Sequence, residues 1–115
     1  MDPYYRKAPI NGHVYYIEVG GKVIYIGSAA EVKYRYPGHP CRCEGARIYY
    51  AEVYGYGKNQ KAEKALINKY KPILNVQTYD GTSHEDISFE DLDFKYLSTY
   101  KTNGKRYLEL TGKNA

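Results

Sequence analysis

The strongest β signal in the chain is the run His13–Gly27, and it constrains the fold more than any other stretch. Two segments rich in β-branched and aromatic residues, 14–19 and 22–26, flank a double glycine at positions 20 and 21. Glycine tolerates the positive φ angles of tight hairpin turns, whereas the flanking residue types favour extended backbone. The pattern therefore predicts a β-hairpin on which the rest of the chain is organised.

The register of this hairpin decides which side chains share a face of the sheet. A loop of the two glycines alone would place Tyr16 opposite Tyr25. A three-residue loop that starts at Val19 would instead place Tyr15 opposite Tyr25. The residues of the hairpin do not choose between these two registers.

Three further elements are predicted after the hairpin. Ser28 and Glu31 form an S-x-x-E capping box, which predicts a helix that begins at the end of the second strand. Residues 37–45 are rich in Pro, Gly and Cys and are expected to form a loop. Arg47–Tyr54 has the composition of a third strand, and Lys58–Tyr70 is predicted as a helix.

Length and composition indicate one domain over 1–115. Residues 1–12 contain several breakers and are expected to form a loop or arm. Cys41 and Cys43 are two positions apart, where a mutual disulfide would be strained, so we expect free thiols in a reducing compartment. No stretch is apolar enough for a signal peptide or a membrane span. These features predict a cytoplasmic protein without membrane contacts.

Charge is distributed unevenly along the chain, whose net charge is +4. Residues 1–77 hold twelve Lys/Arg and six Asp/Glu, 80–93 hold six acidic and no basic residues, and 94–115 hold five basic residues and one acidic. A basic body attracts polyanions, and the 16 tyrosines offer rings for stacking or hydroxyls for phosphate contacts. The alternative interpretation is a tyrosine-rich core with a solvated charged rim.

One carboxylate lies on the apolar side of the predicted helix. Glu63 shares a helical stripe with Leu66, Ile67 and Tyr70. Burying a carboxylate without a partner costs several kcal/mol. The head of Glu63 is therefore expected either to reach solvent near the helix start or to meet a cation.

Five short motifs occur in the order that is typical of one family: His13-Val14-Tyr15, Tyr25-Ile26-Gly27, Arg35, Glu63 and Pro72-x-x-Asn75. Over residues 13–76 this series resembles the GIY-YIG nuclease family, with His13 in place of the first glycine. The resemblance implies an α/β (α+β) fold, a three-stranded antiparallel central sheet flanked by helices, here with an added C-terminal hairpin. It also implies that both phenols share one face with Arg35 and Glu63, which favours the three-residue hairpin loop.

The function implied by the resemblance is metal-dependent hydrolysis of DNA phosphodiester bonds by an endonuclease. Glu63 would bind Mg²⁺ or Mn²⁺, a role that one carboxylate can fill when waters and phosphate complete the shell. Tyr15 would be the general base, Tyr25 would assist it, and Arg35 would hold the scissile phosphate. The alternative is a non-catalytic nucleic-acid-binding module that keeps the fold.

Other residues receive supporting roles. Gly27 and Asn75 are expected to be structural or positioning groups. The DNA is expected to be double-stranded or structured, and its predicted contacts are Arg35, Arg42, Arg47, Lys61 and Lys64.

His39 is a further catalytic residue that the resemblance implies. It follows Arg35 by four positions, but Pro37 and Gly38 lie between them, so one helix cannot carry both. An alternative for His39 is a zinc site with Cys41 and Cys43, which would need His13 or His84 as a fourth ligand.

Residues 78–115 form an extension that the resemblance does not cover. Ser88 and the residues after it predict one capped helical turn, and Phe94–Tyr100 with Arg106–Leu110 predicts a second hairpin. The extension is expected either to pad the core or a sheet edge, or to supply DNA contacts or a homodimer interface.

Overall fold

The computed structural model describes residues 10–31, 45–55, 57–75 and 87–99, and nothing below concerns the remaining positions. Its elements are β1 (Ile10–Val19), β2 (Lys22–Ala29), β3 (Arg47–Tyr54), α1 (Lys58–Tyr70), a 3-10 turn (Phe89–Asp91) and β4 (Lys95–Thr99). The strands form one antiparallel sheet in the order β2-β1-β3-β4. The α/β class is confirmed, and the fourth strand, β4, joins the three expected in the central sheet and lies within Phe94–Tyr100, the first strand of the predicted C-terminal hairpin.

Two elements begin and end where the sequence predicted them, and two do not. β3 and α1 have the predicted bounds. β1 begins at Ile10, within the expected arm, and β2 continues to Ala29. The prediction that Ser28 caps a helix is wrong, because Ser28 is paired with Val14 in the β1-β2 ladder.

The hairpin begins in the register of the two-glycine loop but does not keep that register along the strands. Val19 pairs with Lys22, so the loop contains only the two glycines, and both have positive φ angles (56° and 82°). A β-bulge then shifts the register, with the result that Tyr25 pairs with Ile17 and Gly27 with Tyr15. The three-residue loop was therefore wrong. A bulge adds one residue to one strand, just as the longer loop would have added one residue to the turn. Either way, Tyr15 and Tyr25 come to lie on the same face of the sheet.

The two faces of the sheet carry different cores. On the face against which α1 packs, here called the helix face, apolar residues of the strands meet those of the helix: Val14, Ile26, Ala51, Val53, Ala62, Ala65 and Leu66. The opposite face, here called the tyrosine face, carries a second cluster: Tyr15, Ile17, Ile24, Ala46 and Ile48. The sheet thus separates two sets of buried side chains.

Helix α1 has a buried stripe that differs in part from the predicted one. Its buried residues are Asn59, Ala62, Ala65, Leu66 and Ile67. Tyr70, predicted on the apolar stripe, is 39% exposed. The helix ends at Tyr70. The next residue, Lys71, caps it with a left-handed backbone (φ 47°), and its N–H donates to the carbonyl of Ile67.

The segment 87–99 is held to the helix face by aromatic contacts. Phe89 stacks on Tyr70 at 4.4 Å and lies 4.9 Å from the ring of Tyr16, measured between ring centroids. Ser88 begins the predicted capped turn, and its N–H donates to Asp91 at 2.7 Å. With β4 paired to β3, this part of the extension covers the core and extends the sheet at that edge. The second half of the predicted C-terminal hairpin lies outside the described residues.

None of the helices within the described ranges is long and apolar enough to cross a membrane.

Candidate active site

The ring of Tyr15 lies across the backbone of Gly27 on the tyrosine face. Tyr15 is 1% exposed, and the two residues are partners in the β1-β2 ladder. A Cβ at position 27 would lie 2.5 Å from the Tyr15 Oη and 2.6 Å from its Cζ. Position 27 must therefore lack a side chain if the phenol is to occupy its place.

Tyr25 lies beside Tyr15 on the same face. The two ring centroids are 6.2 Å apart, with an interplanar angle of 33°. Tyr25 is half-buried, and it packs against the same cluster that contains Tyr15. The expectation that both phenols share one face is confirmed, although the bulge rather than the loop brings it about.

His13 is also on the tyrosine face. It is 8% exposed, and its ring packs edge-on against Tyr50 with 5.6 Å between centroids. Its Nδ1 is 3.2 Å from the carbonyl oxygen of Ala30. A carbonyl only accepts hydrogen bonds, so this contact requires the proton on Nδ1.

Glu63 approaches the same end of β2 from the opposite side. The Oγ of Ser28 donates to Glu63 Oε1 at 3.1 Å. Burial raises the pKa of the Glu63 carboxyl, whereas hydrogen bonding from Ser28 and the charge of Lys64 partly oppose that rise. The half-buried carboxylate therefore has a fixed neutral partner, which neither expectation for Glu63 included.

The prediction that Glu63 shares the face of the phenols is wrong. Helix α1 packs on the helix face, so Glu63 reaches β2 from there, while Tyr15 and Tyr25 lie on the tyrosine face. The two sets contact consecutive residues of β2: Tyr15 lies over Gly27, and Glu63 bonds Ser28. Side chains alternate across a strand, and adjacent residues therefore serve opposite faces.

Asn75 hydrogen-bonds to the outer edge of β2 at Ile26, the residue before Gly27. Its Oδ1 accepts from the N–H of Ile26 and its Nδ2 donates to the carbonyl of Ile26, both at 2.9 Å. The N–H of Leu74 also donates to the carbonyl of Ile24 at 2.9 Å. Asn75 thus holds the middle residue of the Tyr25-Ile26-Gly27 motif through its backbone.

The donor set offers one carboxylate to a metal. In the part of the chain that the structure describes, no three His, Cys, Asp or Glu residues are grouped as a metal cluster. Glu63 supplies a hard oxygen donor of the kind that Mg²⁺ and Mn²⁺ prefer, and Mg²⁺ commonly keeps several waters. Glu63 is therefore the described residue that would hold a hydrated cation here, with a substrate phosphate completing its shell.

The predicted DNA contacts are only partly within the described ranges. Lys61 and Lys64 are exposed on α1, and Arg47 is exposed at the start of β3. A hydrogen bond with Tyr49 raises the pKa of the Arg47 guanidinium. Predictions for the following residues lie outside the described ranges: Arg35, His39, Arg42, Cys41, Cys43 and His84.

Two contributors to the site were missed in the sequence. The sequence predicts Ser28 as a helix cap, and it does not predict that the Tyr15 ring lies over Gly27. The strand composition through Ile26 gave no sign that pairing would continue to Ala29. The available signal was the position of Ser28, one residue beyond Gly27 and hence on the opposite face from it.

No family model matches the chain, and neither a curated protein nor a solved structure matches it.

Proposed function

We propose that the chain is a metal-dependent DNA endonuclease of the GIY-YIG type. The observation that carries the proposal is the hydrogen bond from Ser28 to Glu63. It brings the carboxylate of α1 to the residue that directly follows Tyr25-Ile26-Gly27, over which the Tyr15 phenol already lies. The proposed proton acceptor and the proposed metal ligand thus contact consecutive residues of one strand.

In the proposed reaction, Tyr15 accepts the proton of the attacking water, and Glu63 would hold the divalent cation. The cation would polarise the phosphate and lower the pKa of a bound water. A phenol has an ordinary pKa of about 10, so its action as a base near neutral pH needs positive charge close by. Tyr25 hydrogen-bonds to Tyr15 or to the water, and Arg35 binds the scissile phosphate.

The supporting residues hold the strand that carries this chemistry. Asn75 fixes the backbone of Ile26 on the outer edge of β2, and Gly27 leaves room for the phenol. Geometry of this kind matters because a displacement of about 1 Å can cost roughly a hundredfold in rate.

The second proposed function is a nucleic-acid-binding module without turnover. The observation that favours it is the burial of Tyr15, which is only 1% exposed. A general base must come within hydrogen-bond reach of the water that it activates. If substrate binding does not expose the phenol to water, the role of Tyr15 is only to pack in the core.

The experiment that separates the two functions is cleavage of supercoiled plasmid with and without Mg²⁺. Glu63→Gln and Tyr15→Phe should each lower the Mg²⁺-dependent rate by about 10² to 10⁴-fold. The matched control is Glu90→Gln, the same chemical change at an exposed carboxylate of the 3-10 turn, which should cleave like the wild type.

DNA binding is measured on the same proteins over a range of salt concentrations. Glu63→Gln should bind DNA at least as well as the wild type, because it removes a negative charge near phosphate. Binding with a steep salt dependence but no cleavage in Mg²⁺ or Mn²⁺ would favour the binding module. Cleavage by Glu63→Gln at the wild-type rate, with contaminating nuclease excluded, would remove the metal role of Glu63.

A further inference from the structure

Ser28 is held in place by the sheet, whereas Glu63 is not. Ser28 pairs with Val14 in the ladder, so its backbone is fixed and its side chain is directed to the helix face. Glu63 is a long side chain on α1, with several rotatable bonds between its backbone and its carboxylate. The hydrogen bond of 3.1 Å thus joins a short side chain on a paired strand to the end of a longer side chain on the helix.

A single-carboxylate site depends strongly on the orientation of that carboxylate. In sites with several protein ligands each ligand helps to place the cation, but the described residues contain no group of three potential ligands, and Glu63 is the one proposed here. Partners that hydrogen-bond to a metal ligand commonly change metal affinity by about 10 to 100-fold. Serine is suited to this task because its hydroxyl donates one hydrogen bond without adding charge.

We infer that Ser28 is a positioning residue that orients the Glu63 carboxylate for a divalent cation. This inference rests on the proposed function, since it assumes that Glu63 is a metal ligand. It assigns Ser28 no contact with DNA and no proton transfer. The competing explanation is that Ser28 only satisfies a half-buried carboxylate, in which case metal affinity would not depend on it.

The test compares Ser28→Thr and Ser28→Val in the full chain, two replacements that are isosteric with each other. Ser28→Thr keeps the hydroxyl, Ser28→Val replaces it with a methyl group, and both β-branched residues suit a strand. Mn²⁺ is titrated into the DNA-free protein, and binding is measured from paramagnetic broadening of nearby backbone amide signals in NMR spectra. Mn²⁺ is the probe because its broadening reports weak binding without any need for cleavage.

The expected result is that Ser28→Val weakens Mn²⁺ binding by about 10 to 100-fold and Ser28→Thr by less than about threefold. In the cleavage assay Ser28→Val should need more Mn²⁺ for half-maximal rate, yet it should approach the wild-type rate at saturation. The amide spectra also report folding, and Ser28→Ala replaces Ser28→Val if the latter is unfolded.

Two outcomes would overturn the inference, and they are distinguishable. Wild-type Mn²⁺ affinity in folded Ser28→Val would remove the positioning role but leave Glu63 as a metal ligand. Unchanged Mn²⁺ broadening in Glu63→Gln, or none near Glu63 in the wild type, would remove the metal role itself and the inference with it.

Discussion

Substituting Gly27 with alanine tests whether the site is built around the Tyr15 phenol. The added Cβ would meet the Tyr15 Oη at 2.5 Å and its Cζ at 2.6 Å. Ordinary van der Waals contact begins near 3.4 Å, so the ring would have to retreat by roughly 1 Å. Tyr15 is 1% exposed and packs in a closed cluster, where little room exists for such a retreat.

The expected cost of Gly27→Ala is about 1 to 3 kcal/mol of unfolding free energy, the usual range for overpacking a core. Gly27 does not have a positive φ, so alanine introduces no backbone strain of its own. In a Tyr15→Leu background, which removes the ring, the same substitution should be neutral or stabilise by about 0.4 to 1 kcal/mol. The double-mutant cycle between positions 15 and 27 should thus show a coupling energy of about 1 to 4 kcal/mol.

The assay is urea unfolding of the wild type, both single variants and the double variant. Gly12→Ala is the matched control, because its Cβ would meet Asn59 Nδ2 at 2.6 Å on the helix face. Its cost should be the same with Tyr15 or Leu at position 15. A Gly27→Ala cost that also stays the same in both backgrounds would refute the packing argument.

The remaining predictions concern the edge of β2 and the charge of Glu63. Asn75→Ala should lower the free energy of unfolding by about 1 to 3 kcal/mol, because two backbone groups of Ile26 lose their partner; Asn68→Ala, at a half-exposed position of α1, is the control in the same urea assay. Glu63→Gln should be more stable than the metal-free wild type at about pH 7, and this advantage should disappear as the pH falls below about 4.5. A carboxyl with a raised pKa binds protons more readily in the folded state, so wild-type stability falls as pH rises above 4.5. Equal pH profiles in urea unfolding would contradict this account.

The sequence predicted those elements that composition and periodicity specify locally. β3 and α1 have their predicted bounds because a β-branched aromatic run and a long periodic segment each favour one structure. The capped turn at Ser88 was also predicted, since its capping hydrogen bond is local. Interactions that lie within a few residues of each other leave a direct signature in the sequence.

Features that depend on contacts distant in sequence were not predicted. The two-glycine loop is present, but the bulge in β2 shifts the register, so neither expected register gives the observed partner of Tyr25, which is Ile17. The capping signature at Ser28 was overridden because pairing with Val14 and the contact with Glu63 hold it in the sheet. A short capping motif is worth about 1 kcal/mol, which continued strand pairing can outweigh.

The position of β2 at the edge of the sheet explains how two separated sets of side chains can serve one site. In a central strand, neighbouring strands on both sides keep the two faces apart. β2 has β1 on one side only, and Leu74 and Asn75 bond its other side at Ile24 and Ile26.

Gly27 and Ser28 follow those contacts directly, with the phenol over one residue and the carboxylate bonded to the next. A phosphate placed against this end of the edge strand would be approached by groups from both faces. In the proposed reaction, Tyr15 and Glu63 therefore do not need to lie on the same face of the sheet. They need only to reach the same edge of it.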